Sequence, residues 1–127
     1  MKPITIESRL TNRGHYVPGM ISGGTLYISG QLPVHHETGE PVSGDIVRQT
    51  EDALHNVELV LTAAGCTKES VVMCRLYIPD VAYWDEVNET YARFFGNHRP
   101  ARVIVPSREL HGGALVEIEA VAEVPAP

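Results

Sequence analysis

Four of the ten basic residues, Arg93, Arg99, Arg102 and Arg108, fall between positions 93 and 108 of a chain that is otherwise acidic. Arg102 stands inside the short β-prone run ARVIV, where alternation puts it beside Ile104 on one face and Ala101, Val103 and Val105 on the other. A guanidinium in such a run must meet an acceptor, because burying it alone is costly. Its planar fork suits a carboxylate. Two partners fit: an internal one such as Glu117 or Glu119, which would make a structural ion pair, or the carboxylate of a bound ligand. The second candidate is the acidic face of the last apolar run, Glu117, Glu119 and Glu123. On a solvated edge these are ordinary surface charges. Covered by another chain, a partly buried glutamate would gain a raised pKa and become a proton carrier.

The signatures of other chemistries are missing. The chain has no GxxxxGK[ST], no GxGxxG after a strand, no HExxH and no GxSxG. His35 and His36 are adjacent in a turn, and His15, His55, His98 and His111 show no ligand spacing, so no metal site is expected. Cys66 and Cys74 match neither a CxxC nor a disulfide framework and read as reduced thiols of an intracellular protein.

The elements that must position these residues follow from periodicity. Met20 to Ser22 and Thr25 to Gln31, joined by Gly23-Gly24, read as a hairpin, and Pro33 with HHETGEP breaks the pattern. Ile46, Ala53, Leu54, Val57, Val60, Leu61 and Ala64 line one face of a helix that Asp45 starts and Gly65 stops. Ser70 to Ile78 is a strand; Val81, Trp84, Val87, Tyr91, Phe94 and Phe95 mark a second helix; Ala101 to Val105 is a short strand. Val116 to Val124 alternates apolar with mostly acidic residues, the clearest period-two signal. The order is β-β-α-β-α-β-β, with room for a further N-terminal strand. Two helices cover one face of such a sheet. Yet the strand at 70–78 is apolar on both faces, Val72, Cys74, Leu76 and Ile78 on one and Val71, Met73 and Tyr77 on the other. Another copy of the chain is the simplest cover for the second face.

At 127 residues, with 43% hydrophobic and 20% charged residues, the chain has the size and make-up of one globular domain spanning 1–127. Its net charge of −6 disfavours a nucleic-acid or anionic-membrane binder. The start MKPITIESRL lacks a signal-peptide core, and no apolar run approaches the roughly 20 residues of a membrane span, so a soluble cytoplasmic protein is expected.

The segments GHYVPG (14–19), YISGQLP (27–33), EVNETYARFF (86–95), PARVIV (100–105) and LVEIEAVA (115–122) together resemble the YjgF-type reactive intermediate deaminases, also described as endoribonuclease L-PSP-like. The motifs stand in the family's order across nearly the whole chain. The resemblance implies an α+β, chorismate-mutase-like fold with two helices on one face of a mixed sheet, assembled as a homotrimer with ligand clefts between subunits. It implies hydrolysis of enamine or imine intermediates, such as 2-aminoacrylate, to a 2-oxo acid and ammonia without a cofactor. The substrate carboxylate would be clamped by Arg102 and water activated by Glu117, with Tyr16, Ser29 and Asn88 lining the cleft. Imines hydrolyse readily, so positioning and modest acid–base help suffice.

Three departures stand out. Ile104 stands where a cysteine is common in the best-known branch, which adds bulk beside the clamp and bears on substrate choice. His15 replaces the proline of GPY, and the loop after the strand at 101–105 reads PSRELHGG. A module that only binds 2-oxo acids would need Arg102 but not Glu117; a ribonuclease or translation inhibitor would need a basic surface; a structural or chaperone role would need neither residue.

Overall fold

A computed structural model of the chain describes residues 1–6, 14–41 and 43–126. In chain order these form β1 (Lys2–Ile4), β2 (Gly19–Ser22), β3 (Thr25–Gln31), α1 (Ile46–Ala63), β4 (Val71–Ile78), α2 (Trp84–Phe95), β5 (Ala101–Pro106) and β6 (Glu117–Glu123). The expected order holds, with the extra N-terminal strand present. The Gly23-Gly24 turn of the β2–β3 hairpin has positive φ at both residues, 58° and 78°, which favours glycine.

All the strands join one sheet in the order β1-β2-β3-β6-β4-β5. Only β4 and β5 pair in parallel; β6 runs antiparallel to both β3 and β4 and separates them. The steps from β3 to β4 and from β4 to β5 therefore move the same way across the sheet, between strands of one direction, and each carries a helix. Crossovers of one hand then put both helices on the same face. There α1 and α2 pack together over Leu26, Ile28, Leu76, Ile78, Ile118 and Ala120. The fold is thus mixed α+β with a one-sided helical layer.

Helix α1 begins where Asp45 accepts a hydrogen bond from the Arg48 amide at 2.9 Å and stops at Gly65, whose φ is 76°. Its predicted apolar face is buried except for Ala64 at the rim. Two buried amides on α1 hold neighbouring loops. Asn56 Nδ2 donates to the carbonyls of Leu32 and Val34 at 3.0 and 2.8 Å, and Gln49 Oε1 accepts from the Leu115 amide at 2.9 Å, just before β6.

Two expectations need correction. On β4, Val71 faces the core and Val72 faces out, 50% exposed, the reverse of simple alternation. The β4–β6 register shifts between Val71 and Met73, and such a bulge adds one residue to a strand and inverts the alternation before it. On α2, Val87, Tyr91 and Phe95 are buried, but Val81 and Trp84 are exposed. A 3-10 turn over Val81–Tyr83, capped by Asp80 on the Ala82 amide at 2.8 Å, precedes the helix and takes Val81 off its apolar stripe.

Candidate functional site

Arg102 pairs with Cys74 in the β4–β5 register, and Cys74 pairs with Ala120, so Arg102 rises from the helix-bearing face. There α2 presents Trp84, Asn88 and Tyr91, spaced four and three residues apart on one side. Arg102 Nη1 donates to Asn88 Oδ1 at 2.9 Å. Its guanidinium carbon lies 4.8 Å from the centroid of Tyr91 and 5.6 Å from that of Trp84, within cation–π range. No carboxylate of the described residues pairs with it. The internal ion pair that the sequence left open is not made: Glu119 instead binds Arg75, Nη1 to Oε1, at 2.8 Å. Arg102 is a half-buried cation with only neutral partners.

Beneath it, the Tyr91 hydroxyl is buried with no hydrogen-bond partner at full geometry among the described residues, and the Cys74 thiol lies beside it. Burial pushes the Cys74 thiol up to about 11, so it stays protonated and inert at neutral pH. Cys66 and Cys74 are both free thiols. Ile104 follows Arg102 on the same face, half-buried against the core.

Glu117 lies elsewhere. It pairs with Tyr77 on the face without helices. Its carboxylate sits against Gly30, where a Cβ would come within 2.8 Å of Oε2. Gly30 belongs to an irregularity in the β3–β6 register between Ile28 and Gln31. Ser29, in the same irregularity, donates from Oγ to the Val17 carbonyl at 2.7 Å and from its amide to the Pro18 carbonyl at 3.0 Å. These bonds hold the segment that carries Tyr16 beside β3; Tyr16 itself is exposed. Ser29 and Glu117 therefore gather at one end of β3, while Arg102 and Asn88 form a separate pair. The two groups stand on opposite faces of the sheet, two strands apart, or about 10 Å across. One chain does not bring Arg102 and Glu117 together.

The Glu117 carboxyl is held above the ordinary carboxylate range, first by burial, then by the charge of Glu119, with the charge of His111 opposing. As pH rises just above that range, the unfolded chain has released this proton while the folded chain still holds it. Glu117 thus favours the fold least once the pH has passed its raised value. Urea midpoints of the wild type and Glu117→Gln, measured across this interval, are expected to show the wild-type slope flattened in the variant.

Sequence reasoning missed Trp84 and Tyr91 as neighbours of Arg102, although their spacing about Asn88 was a visible signal. It also missed the clearance that Gly30 leaves for Glu117, which depends on non-local register. His15 and Arg108 are exposed and have no described role at either cluster. Among the described residues, no group of three or more His, Cys, Asp or Glu is placed to hold a metal ion. No helix among them is long and apolar enough to cross a membrane.

Comparison with known proteins agrees with this architecture. The family model for endoribonuclease L-PSP matches residues 6–124. A RutC family protein of Pyrococcus horikoshii is 40% identical over 109 residues, 86% of each chain. The human 2-iminobutanoate/2-iminopropanoate deaminase is 36% identical over 109 residues, 86% of this chain and 80% of the human one. Among solved structures, the yjgF gene product of E. coli superposes with a TM-score of 0.89 at 35% identity, covering 97% of this chain and 98% of that one. E. coli TdcF with bound serine gives a TM-score of 0.90 at 31% identity, covering 98% and 100%. The chain therefore belongs to the endoribonuclease L-PSP family, the group that includes the YjgF and Rid proteins.

Proposed function

We propose that the protein is a cofactor-independent deaminase of 2-imino acids, acting in clefts between copies of the chain. The observation that carries this reading is Arg102: a half-buried guanidinium held by an amide oxygen and two aromatic faces, with no internal carboxylate. Such a group is poised to take the carboxylate of a ligand through two parallel N–H···O bonds. A relative named for deamination of 2-iminobutanoate and 2-iminopropanoate, and a neighbour with bound serine, favour an α-carboxylate as that ligand.

In the proposed reaction an enamine first tautomerises to its imine, R–C(=NH)–COO⁻. Arg102 clamps the carboxylate and presents the imine carbon. Water adds to that carbon as Glu117 accepts its proton and passes it to the nitrogen, giving a carbinolamine. Glu117 then takes the hydroxyl proton and delivers it to the amine nitrogen, the carbonyl forms as the C–N bond breaks, and the 2-oxo acid and ammonia leave. A carboxyl held above the usual range suits this exchange near neutrality better than an ordinary glutamate. Asn88 orients Arg102, while Tyr16, Ser29 and Ile104 contribute walls.

Arg102 and Glu117 face opposite ways, so the cleft is completed by a neighbouring copy, for which a homotrimer is the proposed arrangement. The helix-free face, with Tyr27 52% and Val103 41% exposed, is the surface such a copy would cover. A net charge of −6 and the glutamates on that face weigh against the ribonuclease activity in the family's name.

The test is the hydrolysis of freshly generated 2-iminopropanoate and 2-iminobutanoate with and without the protein. Acceleration by the wild type is expected, with a loss of about 100-fold in kcat for Glu117→Gln, the scale of general acid–base help. No acceleration, with 2-oxobutanoate still bound through Arg102, would replace the deaminase by a carboxylate-binding module.

A further inference from the structure

A groove of about 510 Å³ runs beside Arg102, a size suited to a small metabolite. Asn88, Tyr91, Ala92 and Phe95 form its wall along α2, and the turn from Gly96 to Pro100 closes the end beyond the helix. Two arginines are among the residues that line it, half-buried Arg102 and exposed Arg99. Arg99 makes no hydrogen bond or ion pair among the described residues, and Arg102 has only neutral partners. One groove thus has two arginines and no acidic residue in its lining, in a chain of net charge −6.

The turn that carries Arg99 is anchored. His98 Nε2 lies 2.7 Å from the Val71 carbonyl, and its ring packs edge-on to Phe95 at 6.1 Å between centroids. Phe95, Ala92 and Pro100 give the groove apolar walls, beside which charge pairs are screened less than in open water. A mononegative ligand satisfies one guanidinium and leaves the other idle. A ligand with two carboxylates, one on the imine carbon and one a few bonds further along, engages both.

We infer that the groove selects 2-imino acids bearing a second carboxylate, with Arg99 as the residue that reads it. This rests on the deaminase reading above and narrows its substrate class. Arg99 is a specificity residue here: it touches the distal carboxylate and takes no part in the proton transfers.

The experiment compares 2-iminosuccinate and 2-iminoglutarate, generated by amino-acid oxidases from aspartate and glutamate, with 2-iminopropanoate from alanine. Wild type, Arg99→Leu and Arg99→Lys are each assayed for 2-oxo acid formed above the uncatalysed rate. The expected result is a kcat/KM at least about ten-fold higher for a dicarboxylate imine, the scale of one added charged contact. Arg99→Leu should abolish that advantage while leaving 2-iminopropanoate turnover unchanged, and Arg99→Lys should restore part of it. If all the imines turn over alike, or Arg99→Leu slows them equally, the inference fails while the deaminase reading stands. If Arg99→Leu lowers only the melting temperature, Arg99 merely complements the C-terminal end of α2, and the inference fails again. Should no imine turn over, binding decides. Stronger thermal stabilisation by 2-oxoglutarate than by 2-oxobutanoate, lost in Arg99→Leu, upholds the two-carboxylate groove without catalysis; equal stabilisation overturns it.

Discussion

Replacing Arg102 with alanine is expected to lower kcat/KM for 2-imino acid hydrolysis by about 100- to 1,000-fold, while the fold persists. Two charge-assisted bonds to one carboxylate are lost, each contributing on the order of 1.5–3 kcal/mol, against about 1.4 kcal/mol per factor of ten. Loss of the in-line geometry they impose adds to the effect. The cost to stability is far smaller. Arg102 gives up one bond to Asn88 and two aromatic contacts at a half-exposed position, where a cation–π contact contributes roughly 0.5–1 kcal/mol. Arg102→Lys keeps the charge but not the fork and should recover only part of the rate. Steady-state kinetics beside thermal melts check both halves. A variant that melts normally and turns over normally would remove Arg102 from the mechanism.

Leu76→Ala should be among the most damaging single changes to the fold itself. Leu76 is fully buried in β4, with Ile118 opposite it on β6 and Ile104 opposite it on β5. Truncating it under both helices opens a cavity and should cost about 2–5 kcal/mol. A domain's whole stability is roughly 5–15 kcal/mol. Because Ile104 rests against this layer two residues from Arg102, the same cavity should loosen the clamp. Val72→Ala, on the outward side of the bulge, should change stability by less than about 0.5 kcal/mol. Urea midpoints for the pair, at unchanged m value, check both numbers. A large loss in Val72→Ala would place that side chain in the core or under a neighbouring copy of the chain.

Most of the scaffold was legible because its signals are local. β-prone runs on either side of the Gly23-Gly24 pair marked β2 and β3, a period-two run marked β6, helical spacing marked α1 and α2, and Asp45 and Gly65 punctuated α1 where the backbone does start and stop. Val71 and Val72 were exchanged because a bulge is decided by how β4 meets β6, and no residue type announces it. The partners of Arg102 were hidden for a related reason. Its neighbours were sought across the sheet, among Glu117 and Glu119, whereas the side chain turns toward α2. The separation of Arg102 from Glu117 follows from parity combined with strand order, and the order rests on where β6 inserts.

That insertion also shapes how the molecule is made. Residues 117–123 follow every other element in the chain, yet they fill the slot between β3 and β4. On the ribosome, both of those strands emerge with an open edge facing the vacancy, and their buried sides, Leu26, Ile28, Leu76 and Ile78, lack the layer that Ile118 and Ala120 supply. Unpaired apolar strands of this kind are the usual starting point for aggregation. Closure therefore waits until residues 117–123 are made, and a nascent chain stalled before position 117 offers chaperones and proteases a sheet split down its middle.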